Sequence, residues 1–134
     1  MANTGRIVAD TNVVSYLMKG IELGQRYKRH LEGKIVGIAF VTVAEMHYWA
    51  ERNNWGEKRR QGLEEHLKNY VVLPYNNDIA KLHARILVAR ERLGRPISWQ
   101  DAWIAAIALW HDAPLVTHDG DFAGIDGLDV ITES

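Results

Sequence analysis

Apolar residues in this chain recur in two alternating patterns. Ile7-Val8-Ala9 is a short unbroken run ending at Asp10, as expected of a buried first strand. Val13, Val14, Leu17 and Met18 then fall at helical spacing, with Gly20 as a stop. Residues 22–32 predict a second helix with Arg26, Lys28 and Arg29 on a basic face. Ile35-Val36-Gly37-Ile38 predicts the next strand, and Thr42-Val43-Ala44-Glu45 has the form of a capping box opening a helix at Thr42. A polar helix over Gly56 to Asn69 leads to the strand Tyr70-Val71-Val72-Leu73, closed by Pro74. Asp78 is placed to cap a long helix that keeps Ile79, Leu82, Ile86 and Leu93 in phase and ends near Gly94 and Pro96. Ser98-Trp99-Gln100-Asp101 is a second capping box; the helix it opens, Ala102 to Trp110, is apolar nearly all round and so buried. Leu115-Val116-Thr117 predicts a strand, His118-Asp119-Gly120-Asp121 a turn, and Leu128 to Ile131 a last strand. Short apolar strands alternating with helices predict an α/β fold, a mostly parallel sheet sandwiched by helices. No repeat or linker interrupts the pattern, and residues 1–134 have the length of one domain.

That architecture brings remote carboxylates together. In an open parallel sheet, a helix that follows a strand and a helix that precedes one both begin at the strands' carboxyl edge. Asp10 ends the first strand, Glu45 lies in the first turn of the helix after the second, Asp101 opens the helix running back into the Leu115 strand, and Asp119 follows that strand. Taken singly, Glu45 and Asp101 are ordinary capping acids, and Asp10-Thr11-Asn12 and Asp119-Gly120-Asp121 are a helix start and a turn. Caps have no reason to share one sheet edge with two strand-terminal aspartates. Two carboxylates ~4 Å apart repel by about 4 kcal/mol at an effective dielectric near 20, so the group requires protonation or a divalent cation. All-oxygen ligation favours Mg²⁺ or Mn²⁺, and the implied chemistry is metal-assisted phosphodiester hydrolysis.

Composition narrows the reading. Cysteine is absent, which excludes a disulfide scaffold, a Cys-ligated metal and a thiol nucleophile, and fits a reducing compartment. The longest apolar stretch, Trp103 to Trp110, falls far short of the ~20 residues a spanning helix needs, and Arg6-Ile7-Val8-Ala9 is too short for a signal-peptide centre. A cytoplasmic protein is expected. The net charge is −1, but residues 97–134 contain seven acids and no Lys or Arg, while the first 96 carry all 16 basic residues. An acidic end on a basic body suits a cation beside a polyanion. Arg85, Arg90, Arg92 and Arg95, with Lys58, Arg59 and Arg60, are the candidates to line a track for that polyanion, against the simpler reading of solvated helix faces. Trp103 and Trp110 are expected in the core, whereas at least one of Tyr48, Trp49 and Trp55 is expected to face a partner. His30, His66 and His83 fall away from the acidic edge, His47 on another helix face from Glu45, and His118 beside Asp119 but turned from it.

Ile7-Val8-Ala9-Asp10-Thr11-Asn12, the Thr42-Val43-Ala44-Glu45 segment, Asp101-Ala102-Trp103-Ile104-Ala105-Ala106 and Leu115-Val116-Thr117-His118-Asp119-Gly120-Asp121-Phe122 resemble, in order and spacing, the four acidic motifs of the PIN domain, at a length typical of VapC-type toxins of toxin–antitoxin pairs. The resemblance implies a three-layer α/β/α fold and a Mg²⁺- or Mn²⁺-dependent endoribonuclease, often dimeric, inhibited by a small antitoxin whose peptide lies across the acidic site. Position by position it implies metal-binding and catalytic roles for Asp10, Glu45, Asp101 and Asp119, and orienting roles for Asn12 and Thr117. The resemblance places the fourth acid either at Asp119 or two residues on at Asp121; Asp119, nearer the strand end, is favoured, and Asp121 is kept as an auxiliary ligand whose simpler role is to cap the next turn. Three other readings compete: a phospho-receiver module, disfavoured because no lysine follows Lys81; a domain that binds RNA or protein without cutting; and a nuclease acting on DNA, since a metal–carboxylate site does not itself read the 2′-hydroxyl.

Overall fold

The computed structural model describes residues 5–133, so residues 1–4 and 134 of the expected domain lie outside it. The chain runs β1 (Arg6–Ala9), α1 (Thr11–Lys19), α2 (Glu22–Leu31), β2 (Ile35–Ala39), α3 (Phe40–Arg52), α4 (Glu57–Leu67), β3 (Val71–Leu73), α5 (Asn77–Arg92), α6 (Trp99–Trp110), β4 (Leu115–Val116), a single 3₁₀ turn (Gly120–Phe122) and β5 (Val130–Ile131). The five strands form one sheet in the order β3-β2-β1-β4-β5, and every pairing is parallel.

Side-chain alternation along the strands divides the interior in two. Ile7, Ala9, Ile38 and Val116 point into a core with Val13, Val14, Tyr27, Met46 and Leu63 from α1–α4. Val8, Ala39 and Leu115 point the other way, onto Ile79, Ile86, Leu87 and the apolar stripe of α6. The result is the three-layer α/β/α sandwich expected for a parallel sheet that must be covered on both faces. α1 stops at Gly20, whose φ of 70° is left-handed and whose N–H reaches the Leu17 and Tyr16 carbonyls. Gly24 lets α2 approach α1 closely, since a Cβ there would lie 2.6 Å from the Tyr16 carbonyl oxygen. No helix among the described residues is long and apolar enough to cross a membrane.

Three local expectations are corrected. α3 opens at Phe40 rather than Thr42, because β2 passes into the helix without a loop; Thr42 is a buried helical residue, not a cap, and Glu45 falls in the second turn. The cap of α5 is Asn76, whose Oδ1 accepts from the Ile79 N–H at 2.8 Å, leaving Asp78 inside the first turn. Trp110 is 45% exposed rather than in the core: it is the last residue of α6, where the buried stripe from Ala102 to Ala108 has ended.

Candidate active site

The chain leaves β1 toward β2 and β3 on one side, then returns to β4 and β5 on the other. The strand order therefore reverses between β1 and β4, and such a switch point leaves a crevice at the strands' carboxyl ends, since the connections depart in opposite directions. Asp10 stands there, with 4% exposure. It caps α1 by accepting the Thr11 N–H on Oδ1 at 2.7 Å, and its Oδ2 accepts from the Thr117 hydroxyl, also at 2.7 Å. Thr117 in turn accepts the Asp119 N–H at 2.9 Å. One buried threonine thus fixes the Asp10 carboxylate and the turn that presents Asp119. Thr117 thus contacts Asp10 directly, whereas Asn12 accepts a long 3.4 Å bond from the His118 N–H.

Glu45 is held by a residue of the neighbouring helix α1. The Thr11 hydroxyl donates to its Oε1 at 2.9 Å, and Thr11 lies 2.9 Å from the Thr42 hydroxyl. With the Thr11 proton committed to Glu45, Thr42 is the donor in that contact. Asp101 arrives on α6, where the Ser98 side chain accepts the Asp101 N–H at 3.0 Å, as the sequence predicts. Asp119, not Asp121, caps the 3₁₀ turn by accepting the Asp121 N–H at 2.9 Å, which frees the exposed Asp121 carboxylate. Asp101, Asp119 and Asp121 offer carboxylate oxygens that all lie within 4.8 Å of one another.

The electrostatics show how costly this grouping is. Burial, reinforced by the charges of Asp119 and Glu45, raises the Asp10 carboxyl to about 6, although the Thr117 and Thr11 hydrogen bonds pull it down. Asp101 is raised to about 7, first by burial and then by Asp10 and Asp119. Burial also raises Glu45, against the opposing hydrogen bond from Thr11. Among the described residues no Lys, Arg or His forms an ion pair with any of these acids. An all-oxygen donor set of crowded carboxylates lacking a protein cation fits a hard divalent ion.

The basic track is redrawn. Arg90 is buried and faces inward, donating from Nε to the Arg95 carbonyl, from Nη1 to the Ala123 carbonyl and from Nη2 to the Asp121 carbonyl, at 2.9, 3.1 and 3.3 Å. It fastens the acidic loop and is not available to RNA. The signal was present, because Arg90 continues the buried helical phase of Ile79, His83 and Ile86. Arg60 is engaged with Glu51 and with the Trp55 and Ala50 carbonyls. Lys58, Arg59, Arg85, Arg92 and Arg95 are exposed. His118 turns toward the Tyr27 hydroxyl, 2.6 Å from its Nδ1; His83 stacks on Trp103 with ring centroids 4.0 Å apart; and His66 bonds Tyr70. The sequence assigns no role to Thr11, which holds Glu45, and assigns Thr42 only a capping role; the contact between the two spans 31 positions.

Comparison with known proteins places this arrangement. Residues 7–128 match the PIN domain model. Ribonuclease VapC5 of Mycobacterium tuberculosis is 32% identical over 108 residues, which cover 79% of this chain and 80% of that protein. Ribonuclease VapC1 of Haemophilus influenzae is 30% identical over 112 residues, covering 82% and 84%. The crystal structure of the VapBC-5 toxin–antitoxin complex from M. tuberculosis contains a chain that superposes with a TM-score of 0.76 at 27% identity, covering 96% of this chain and 99% of that one. A chain of DNA-bound VapBC2 from Rickettsia felis shares the fold, with a TM-score of 0.83 at 19% identity over 95% and 98%. With nearly its whole length matched and its acids gathered at the switch point, the chain belongs to the PIN-domain family.

Proposed function

We propose that the chain is a metal-dependent endoribonuclease that hydrolyses RNA phosphodiester bonds, working in the cytoplasm as the toxin of a toxin–antitoxin pair. The convergence of Asp10, Glu45, Asp101 and Asp119 on one crevice, where burial raises Glu45 and burial with neighbouring carboxylates raises Asp10 and Asp101, carries this reading. Relatives named ribonucleases supply the substrate class. The toxin–antitoxin complexes among the similar structures support a protein inhibitor and a hetero-oligomer, with a homodimer as the alternative assembly.

Asp10, Asp101 and Asp119 are the residues to hold Mg²⁺ or Mn²⁺, with Glu45 beside them and Asp121 as an auxiliary ligand. Bound there, the ion would lower the pKa of a coordinated water and stabilise the leaving oxygen. The protein's own contribution is orientation. Thr117 holds Asp10 in one rotamer, Thr11 and Thr42 hold Glu45, and the Ser98 cap and the Arg90 clamp fix the Asp101 and Asp121 backbones. The carboxylates also repel a phosphodiester until a cation joins them, making cleavage conditional on the ion.

The test is incubation of the purified chain, freed of any inhibitor, with single-stranded RNA. Cleavage is expected with Mg²⁺ or Mn²⁺ and not with EDTA. Asp10→Asn is expected to remain folded and lose activity; full activity in that variant overturns the assignment.

A further inference from the structure

Beside the acidic crevice, on the α1–α3–α4 side, lies an open cleft of about 570 Å³ whose walls include Asn12, Tyr16, Lys19, Trp49, Trp55 and Arg59. Its volume is in the range of small-ligand sites. The cleft begins at the crevice, since Asn12 lies two residues beyond Asp10 and is tied to the backbone before Asp119. Among the described residues no acidic one lines it. Lys19 and Arg59 are exposed cations, and neither has an acidic ion-pair partner among the described residues. The Arg59 guanidinium sits 3.9 Å from the centroid of the Trp55 ring, and Trp55 is only 8% exposed, so the charge is held over an anchored indole. Trp49 and Tyr16 are half-buried. Lys19 and Arg59 also border a second depression leading away from the crevice.

Unneutralised cations beside an uncompensated acidic site suit an extended polyanion whose reacting phosphate lies over the acids. Aromatic side chains next to such cations suit unpaired bases, which stack regardless of sequence. We propose that this cleft binds an unpaired nucleotide of single-stranded RNA next to the scissile phosphate: the base stacks on Trp49, the Asn12 amide meets its edge, and Lys19 and Arg59 take the flanking phosphates. The proposal rests on the ribonuclease reading of the crevice and adds the site that positions the strand. The competing occupant, a peptide segment of a partner protein, is an outcome of the test.

Binding of a labelled single-stranded oligoribonucleotide is measured by fluorescence anisotropy in the Asp10→Asn background, where the strand is not cut. Adding Trp49→Ala is expected to weaken binding about tenfold, with Trp49→Phe largely restoring it. Adding Lys19→Ala is expected to lower the slope of log affinity against log salt by about one. A strand made abasic at the position that matters should bind the Asp10→Asn parent about as weakly as the Trp49→Ala variant binds the intact strand, and should lose nothing more to that substitution. Thermal melting of each variant separates lost binding from lost folding. Equal binding by parent and variants overturns the proposal, as does a Trp49→Ala loss that is the same on abasic RNA. So does a variant that keeps RNA affinity while losing association with a copurifying protein. Failure of the wild-type chain to cut RNA in Mg²⁺ or Mn²⁺ removes the nuclease reading and leaves the binding result to stand by itself.

Discussion

Two groups of acids lie on this molecule under opposite electrostatic conditions. At the crevice, burial and neighbouring carboxylates push Asp10 to about 6 and Asp101 to about 7. At the carboxyl end of the chain, Glu133 is pulled down to about 2 by hydrogen bonds from His30 and Arg29; Arg29 lies 2.8 Å from its carboxylate and Arg26 3.7 Å. The α2 basic face thus supplies cations to the Glu133 carboxylate. Among the described residues no ion pair supplies them to the acids of the crevice. Tyr27 separates the two: its hydroxyl meets the His118 ring on one side and accepts the Glu133 N–H at 2.9 Å on the other. A protein able to neutralise a carboxylate with α2 leaves the crevice uncompensated, as expected if its countercharge comes from solution.

The largest effect expected from breaking this contrast is on activity. Asp10→Asn removes a carboxylate around which the others are arranged, and RNA cleavage should fall by roughly a hundredfold or more, since loss even of an orienting partner costs ~10–100-fold at metal sites. Thr117→Val keeps the shape but releases Asp10 Oδ2 and the Asp119 N–H; a loss in the ~10–100-fold range is expected, read as cleavage rate against metal concentration. Arg90→Met leaves the carbonyls of Arg95, Ala123 and Asp121 without their donor. It should cost about 1–3 kcal/mol of stability, measured by urea denaturation, with the acidic loop the first segment to exchange its amides.

Smaller effects sharpen the comparison through pH. Asp10 and Asp101 have folded-state pKa values above the usual ~4, so their ionisation disfavours the fold: without divalent ions, stability should be greatest at pH 4 and decline as pH rises through 6 to 7. Asp101→Asn should flatten that decline and raise the melting temperature at pH 8, by about 4 °C if roughly 1 kcal/mol is recovered, and Mg²⁺ should do the same for the wild-type chain. Glu133 has the opposite sign. Its depressed pKa stabilises the fold above pH ~4, and that contribution is lost as pH falls toward 2. Glu133→Gln should therefore lower the melting temperature slightly at pH 7, with the difference shrinking as pH falls to 2. Scanning calorimetry across this range distinguishes the two regions, and parallel pH profiles for both variants would defeat the contrast.

What the sequence determined was periodicity and the ends of strands. Unbroken apolar runs place β1 and β4, helical spacing places α1 and α5, and the parallel topology implied by their alternation puts Asp10, Glu45, Asp101 and Asp119 at one edge. Local patterns went astray where tertiary contacts compete with them. Thr42 has a capping sequence, but its hydroxyl is taken by Thr11; Asp78 lies inside the first turn of a helix that Asn76 already caps; Arg90 looks like solvated charge until the carbonyls of a loop over 30 positions away turn it inward. Only the folded chain decided which hydroxyl holds which carboxylate and which cations remain unpaired. Periodicity is a property of neighbouring residues, whereas a hydrogen bond between Thr117 and Asp10 depends on two strands meeting across 107 positions, a distance that no local preference spans.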